Sequence, residues 1–188
     1  MIKFPGLIDV HVHLRDPGQT EKEDFFTGTS SALAGGFTTI LDMPNNKIPI
    51  TSIKTLIEKQ KIAKEKIVCD VGFYFGSLGE NLKDFNKVQD KVFGLKIYLN
   101  KTTGNLIIDN KNLNNIFKAW TTNSPILLHA EGKSINQVIN IVSETGKRVH
   151  FCHIGISSDL KQIIKAKENR LPITCGTTPH YLFLTEKD

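Results

Sequence analysis

Cysteine is scarce in this sequence, and its few cysteines lie far apart. The 188 residues include three of them, Cys69, Cys152 and Cys175. Secreted domains held together by disulfides have a much higher density of cysteine, usually in even number. The small, odd set excludes a disulfide-stapled fold and predicts a protein of the reducing cytoplasm.

Long apolar runs and linker-like segments are also lacking. No stretch approaches the roughly 20 apolar residues that cross a bilayer, so we expect no membrane partner. The first ten residues, MIKFPGLIDV, lack the apolar core and cleavage site of a signal peptide. No segment rich in Pro, Gly and Ser divides the chain, and its length suits one domain over residues 1–188.

Basic residues exceed acidic ones but are scattered. The formal net charge is +5, yet no long basic run or stripe of basic and aromatic residues is present. Nucleic-acid binders usually carry such a patch, so a nucleic-acid partner is not expected. A positive field suits a small anionic substrate instead.

Short apolar runs alternate with amphipathic segments along the whole chain, which is the pattern of parallel strands joined by crossover helices. The predicted strands span 6–12, 38–43, 67–75, 92–99, 125–130, 148–154 and 171–177. The predicted helices span 21–35, 52–65, 80–90, 110–122, 132–146 and 157–170, with Thr51, Asp109 and Ser157 as capping residues.

The positions of polar residues favour a barrel over an open, doubly wound sheet. No glycine-rich phosphate motif follows the first strand, as it would in a dinucleotide-binding sheet. Polar side chains stand instead at the carboxyl ends of successive strands: His11, His13, Asp42, Asn45, Lys96, His129 and His153. In a barrel these ends converge on one mouth. The sequence therefore predicts an α/β fold, an incomplete (β/α)8 TIM barrel with seven strands and no eighth.

Four of these residues are histidines, and they indicate a metal centre. His11 and His13 alternate along a strand, so their imidazoles share a face and can bind one metal ion. Alone, this pair would be read as ordinary hydrogen-bonded histidines. His129 and His153, at the same end of later strands, favour metal binding, whereas His150 begins its strand and is predicted to be structural.

Lys96 interrupts an apolar strand, and two interpretations are open. Its ammonium group can reach solvent along the side-chain stem. Alternatively, a desolvated lysine with a lowered pKa reacts with carbon dioxide, and the resulting carbamate bridges two metal ions. Imidazole and oxygen ligands match zinc, so the second interpretation predicts two Zn²⁺ ions.

Arg15 and Asn45 follow the first two strands, next to the predicted metal centre. An arginine fork binds a carboxylate bidentately, and an asparagine amide adds donors of fixed geometry. Together they predict a substrate that carries a carboxylate. The alternative for Arg15 is a surface salt bridge with Asp16 or Glu21.

Several motifs together resemble those of dihydroorotases, amidohydrolases of pyrimidine synthesis. They are GLIDVHVHLRDPG, MPN at 43–45, GLKIYLN, LHAE, FCH and TCGTTPHYLFLT, and the similarity runs from residue 5 to the last. The resemblance is to the short dihydroorotases of multifunctional pyrimidine enzymes. It implies a (β/α)8 barrel of the metal-dependent hydrolase type, a binuclear zinc site and reversible cyclisation of N-carbamoyl-L-aspartate to L-dihydroorotate.

The resemblance also implies a role for each matching residue. His11 and His13 would bind one zinc, His129 and His153 the other, and N6-carboxylated Lys96 would bridge them. Arg15 and Asn45 would bind the substrate carboxylate, and Thr102 would belong to a mobile active-site loop.

The family places its acid/base aspartate on an eighth strand, which this sequence does not reach. We therefore expect the 188 residues alone to be inactive, and we expect exposed strand edges to favour a homo-oligomer. Two alternatives remain open. One is a non-catalytic, dihydroorotase-like scaffold for aspartate transcarbamoylase, and the other is a hydantoinase or allantoinase.

Overall fold

The computed structural model describes residues 2–102, 106–185 and 187. In this part of the chain, seven strands alternate with helices in the predicted order. The strands are β1 (Leu7–Val12), β2 (Phe37–Asp42), β3 (Asp70–Gly76), β4 (Gly94–Tyr98), β5 (Ile126–His129), β6 (Val149–Phe151) and β7 (Ile173–Cys175). The α-helices are α1 (Phe25–Ala34), α2 (Ile53–Lys66), α3 (Phe85–Val88), α4 (Leu113–Ala119), α5 (Lys133–Thr145), α6 (Ser157–Glu168) and α7 (Pro179–Phe183).

The chain divides into two compact units. The first comprises the residues up to Gly76 together with Lys83–Gly94, and the second comprises Ser77–Leu82 and the residues from Leu95 onward. In the first unit β1, β2 and β3 form a parallel sheet in chain order. In the second unit β4, β5, β6 and β7 do the same. Parallel pairing brings the carboxyl ends of the strands to one edge of each sheet.

Burial follows the apolar runs of the sequence. All five residues of β4 and all four of β5 are buried, as expected for parallel strands covered on both faces. In the first unit, Phe25 and Phe73 pack edge to face with ring centroids 6.3 Å apart. Trp120 is fully buried in the second unit, where its indole N–H donates to the carbonyl of Ser124 at 3.0 Å.

Helix capping differs from two of the three predictions. The hydroxyl of Ser52, rather than Thr51, accepts a hydrogen bond from the Thr55 amide at 3.2 Å and begins α2. Ser157 is the first residue of α6 and does not cap it, because the capping position belongs to Ile156. The Asp109 carboxylate does accept from the Lys111 amide, at 3.1 Å, at the start of a helical turn.

Three predicted helices are shorter than expected. The segment 80–90 forms a 3₁₀ turn, Leu82–Asp84, followed by the single turn of α3. The segment 110–122 likewise starts with a 3₁₀ turn and ends at Ala119. Neither α3 nor α4 has a side-chain cap at its start, which removes a main signal for an α-helical first turn. The segment 21–35 becomes helical at Phe25, because Asp24 is extended and its carboxylate accepts from the Thr27 amide.

The structure adds one helix that the sequence analysis missed, the short α7, which begins with a proline at its first position. None of the helices in the described residues combines the length and apolar character needed to span a membrane.

Candidate active site

His11 and His13 lie at the carboxyl end of β1, in the first unit. Their ring centroids are 5.3 Å apart. His13 Nδ1 donates to Asn45 Oδ1 at 2.6 Å, which fixes the tautomer of the neutral ring with its lone pair on Nε2. Metal-binding histidines typically make such a bond through their second ring nitrogen. The structure thus brings together three of the predicted site residues, His11, His13 and Asn45.

Arg15 follows two residues later in a left-handed backbone conformation, with φ of 61°. Its Nη1 is buried and has no hydrogen-bond partner in the part of the chain that the structure describes. The neighbouring Asp16 pairs instead with Lys66, at 2.6 Å between Nζ and Oδ2. Within the described residues, the alternative of a salt bridge from Arg15 to Asp16 or Glu21 is therefore not observed. A buried guanidinium nitrogen without an acceptor suits an anionic ligand.

Asp42, the last residue of β2, forms a buried ion pair with Lys59 of α2, at 2.7 Å between Oδ2 and Nζ. Burial raises the pKa of Asp42 and lowers that of Lys59, and the contact between them opposes both shifts. The sequence analysis missed Lys59. The sequence pattern could have indicated it, because Lys59 lies three residues after Leu56 and four before Ala63, on the face of the helix that carries these buried residues.

Lys96 is the third residue of β4, in the second unit, and is 1% exposed. The structure excludes the interpretation in which its ammonium reaches solvent. Its Nζ lies 3.1 Å from Cys152 Sγ and 4.9 Å from the centre of the Tyr98 ring. Desolvation lowers the pKa of Lys96, opposed by the contact with Cys152. A lowered pKa increases the neutral amine, which is the form that reacts with carbon dioxide.

His129 ends β5, and His153 follows β6, in the same unit as Lys96. His129 Nδ1 lies 3.2 Å from His153 Nε2, and the ring centroids are 4.8 Å apart. Burial above all, then His153 and Lys96, lowers the pKa of His129 to about 4, and burial also lowers that of His153. Both rings are therefore neutral at pH 7, which is the form that binds metal ions.

One ring nitrogen of this histidine pair is available to bind a ligand. His129 Nε2 is buried without a hydrogen-bond partner among the described residues, and Glu131 Oε1 lies 3.6 Å from it. A buried imidazole nitrogen without a hydrogen-bond partner is costly unless something binds it. The chemistry of this donor therefore fits a zinc ion.

An open cavity of about 340 Å³ lies in front of the two histidines of the second unit. It is lined by Thr102, His129, His153, Thr178, His180 and Tyr181. Thr102 thus lines the same cavity as His129 and His153, and its loop role stays a prediction. The sequence analysis did not assign Thr178, His180 or Tyr181 to the site, although the TTPHY motif that carries them was part of the resemblance.

His150, which the sequence analysis predicted to be structural, contacts the neighbouring strand. Its Nδ1 and Thr174 Oγ1 lie 2.9 Å apart in a hydrogen bond between neighbouring strands. Across the described residues, no three His, Cys, Asp or Glu side chains form a ready-made metal site. The predicted metal ligands instead occur as two imidazole pairs and a buried lysine.

Comparison with known proteins identifies the family. The Amidohydrolase family model matches residues 2–166. The whole chain is 39% identical to part of the multifunctional protein CAD of Squalus acanthias, covering 8% of that protein. It is 33% identical to a dihydroorotase of Methanosphaera stadtmanae and 32% identical to an allantoinase of Streptomyces avermitilis, covering 49% of each. The chain therefore spans about half the length of these two relatives.

Solved structures agree with this result. The L-hydantoinase of Arthrobacter aurescens has a TM-score of 0.87 and 25% identity, over 97% of this chain and 49% of the hydantoinase. An inactive dihydroorotase-like domain of a CAD-like multifunctional protein from Chaetomium thermophilum has a TM-score of 0.88 and 26% identity, over 100% of this chain and 56% of that domain. The predicted fold, part of a (β/α)8 barrel, is confirmed. The chain belongs to the amidohydrolase family and is similar to dihydroorotases within it.

Proposed function

We propose that the chain is the metal-binding part of a dihydroorotase, a cyclic amide hydrolase. One observation carries the proposal: two neutral histidines, His129 and His153, face each other at a cavity of about 340 Å³. The reaction is reversible cyclisation of N-carbamoyl-L-aspartate to L-dihydroorotate in pyrimidine biosynthesis. The similarity to dihydroorotases supports this choice of reaction.

We propose two zinc ions as cofactors. His11 and His13 would hold one ion, His129 and His153 the other, and N6-carboxylated Lys96 would be a ligand of both. When bound, zinc supplies Lewis-acid polarisation of the amide carbonyl and activation of water. The unpartnered Nε2 of His129 and the fixed tautomer of His13 support these assignments.

Lys96 would contribute as a carbamate. The ammonium group first loses a proton, and the neutral amine nitrogen then attacks the carbon of carbon dioxide. A C–N bond forms as a C=O π bond breaks, and a second proton leaves the nitrogen, so that a buried cation becomes an anion. The lowered pKa and near-complete burial of Lys96 favour the neutral amine that this step needs. The carbamate oxygens are ligands of the kind that zinc accepts.

Arg15 and Asn45 would bind the substrate carboxylate, and Thr102 would close over the substrate. The buried Nη1 of Arg15 supports its role, because a carboxylate would supply the acceptor that this nitrogen lacks. Asn45 is buried beside His13, so a ligand that it holds would lie next to a metal-binding side chain. Holding the substrate in this way fixes the carbonyl for attack.

The test is the metal content of the purified 188-residue chain, combined with a dihydroorotate hydrolysis assay. We expect two zinc ions per chain and no turnover, because the resemblance assigns proton transfer to an aspartate outside these residues. The variant His129→Asn should lose zinc, whereas His180→Ala, which changes a histidine of the same cavity, should retain it. A folded chain without zinc, or full zinc content in His129→Asn, would overturn the proposal.

A second candidate function is a non-catalytic scaffold. It is favoured by the similarity to a dihydroorotase-like domain described as inactive. In that case a folded chain binds no zinc but binds aspartate transcarbamoylase. Elemental analysis distinguishes this candidate from a metalloenzyme, because only the latter needs the histidine pairs occupied.

We also propose a cytoplasmic location, self-association and association with aspartate transcarbamoylase. The similarity to multifunctional CAD supports a partner enzyme. The exposed apolar side chains Ile8 and Val10 of β1 support contact with another copy of the chain. Sedimentation of the purified chain, alone and with the transcarbamoylase, tests both associations.

A further inference from the structure

Lys59 is a buried lysine that the proposed reaction does not use. It lies in the middle of α2 and is 1% exposed. A buried ammonium group is costly unless it is paired and fully hydrogen-bonded. Its position on the buried face of α2 therefore requires an explanation.

The ammonium group of Lys59 has three oxygen atoms close to it, one in an ion pair and two that accept hydrogen bonds. It contacts Asp42 Oδ2 at 2.7 Å, the Met43 carbonyl oxygen at 2.9 Å and Asn46 Oδ1 at 2.8 Å. All three acceptors belong to the end of β2 and the segment that follows it. Lys59 therefore holds both ends of the short segment that contains Asn45.

Two of these acceptor residues extend the network to the segment that contains Arg15. Asp42 Oδ1 accepts from the Leu14 amide at 3.0 Å. The side-chain amide of Asn46 donates to the Pro17 carbonyl at 3.3 Å. The chain is thus held on both sides of Arg15 by residues that Lys59 binds directly.

Stability alone is a weak explanation for such a network. Replacing a buried ion pair by apolar or neutral side chains of similar size often costs little, because desolvation offsets much of the attraction. What an apolar pair cannot reproduce is the direction of the ion pair and of the two hydrogen bonds. The geometry of the segments around Arg15 and Asn45 depends on those directions.

We propose that Lys59 is a positioning residue for the substrate-carboxylate site. It holds Asn45 and Arg15 in the arrangement that binds a carboxylate, and it acts only through Asp42, Met43 and Asn46. This inference rests on the proposed function, which assigns carboxylate binding to Arg15 and Asn45.

The test compares three variants of the zinc-loaded chain. Lys59→Met removes the ammonium but leaves the Asp42 charge buried. The double variant Asp42→Asn with Lys59→Met removes both charges, so it remains folded even if the single variant does not. Lys61→Met, an exposed lysine of the same helix, is the matched control. Urea unfolding establishes that each variant is folded.

We expect the folded double variant to bind dihydroorotate about 10- to 100-fold more weakly, since small displacements of binding groups have effects of this order. Its affinity for an uncharged hydantoin should stay within twofold of the parent, and Lys61→Met should match the parent for both ligands. An equal loss for the two ligands, or no loss for either, would overturn the positioning role.

A second readout separates this inference from the proposed function. In the metal-free chain, NMR signals of the Asn45 side-chain amide and the His13 ring report their arrangement without any ligand. We expect both signals to shift in the double variant and to stay in place in Lys61→Met. If the parent chain binds neither ligand, the proposed function fails, and these signals alone decide whether Lys59 positions the two segments.

Discussion

Burial controls the protonation of His129, and its neighbours add to the effect. Desolvation disfavours the imidazolium form, and the nearby His153 and Lys96 act in the same direction. The resulting neutral ring is suited to binding a cation. The same argument applies to Lys96, which is also desolvated and whose amine nitrogen contacts the Cys152 thiol and the face of the Tyr98 ring.

A pH titration tests this environment. The pKa of His129 is lowered from its ordinary value of 6.5 to about 4, so the unfolded chain binds this proton before the folded chain as pH falls. The stability contributed by neutral His129 is therefore present above about pH 6.5 and is lost as pH falls towards 4. NMR of the metal-free chain should give a pKa of about 4 for His129, and urea unfolding should show the loss.

The matching control is His129→Gln, which cannot titrate in this range. As pH falls from 6.5 to 4, the free energy of unfolding of the parent should decrease relative to that of His129→Gln. A difference that is constant with pH would show that His129 has an ordinary pKa.

In the proposed function, Arg15 makes the site selective for a substrate that carries a carboxylate. We expect Arg15→Leu to abolish binding of dihydroorotate and to spare a neutral hydantoin, because only the first ligand supplies the carboxylate that Nη1 lacks. Calorimetric titration of both ligands measures this. Arg148→Leu, at an exposed position, is the control. Retained dihydroorotate binding together with loss of the hydantoin would reassign the substrate to a hydantoinase or allantoinase type.

At the scale of elements, α2 is the helix that contacts the segments carrying Arg15 and Asn45. Its first turn is fixed by Ser52, its buried face carries Lys59, and its last residue, Lys66, pairs with Asp16. Lys59 and Lys66 are seven positions apart and so lie on one side of the helix. This one helix therefore contacts the segments after both β1 and β2.

The start of α2 provides a stability prediction. Ser52→Ala should lower the free energy of unfolding by about 1 kcal/mol, because the Thr55 amide loses its side-chain acceptor. Ser52→Asn, which keeps a capping acceptor, should remain close to the parent. Urea unfolding at neutral pH measures both. Equal destabilisation by the two substitutions would mean that the cap contributes nothing.

At the scale of the whole molecule, the prediction of one domain over residues 1–188 can be tested by cooperativity. A single domain usually unfolds in one cooperative transition. The single tryptophan, Trp120, reports the second unit by fluorescence, while hydrogen exchange of β2 reports the first. Ile40→Val, at a buried position of the first unit, should cost about 1 kcal/mol.

If the chain is one domain, this substitution shifts the Trp120 transition as much as it shifts the exchange of β2. Ile57→Val, at an exposed position of α2, should shift neither. A change confined to the first unit would show that the two units unfold separately, and the prediction of one domain would be wrong.

Local patterns determined much of this protein from sequence alone. Continuous apolar runs specify strands buried on both faces, so the order of strands and helices was predictable, as were the polar residues at strand ends. The first and last residues of the helices were less predictable. Either Thr51 or Ser52 could cap α2 by its composition, and the backbone conformation determines that the Ser52 hydroxyl reaches the Thr55 amide. The motifs also sufficed to indicate the family.

Only the tertiary structure decided which side chains meet. The contacts of His13 with Asn45, of Lys96 with Cys152 and of Lys59 with Asp42 join residues distant in sequence. No local pattern encodes such pairs, because they depend on how strands and helices pack. The burial of side chains also depends on this packing. The tertiary structure shows that Lys96, for which the sequence left two interpretations open, and Lys59, which the sequence analysis missed, are both buried.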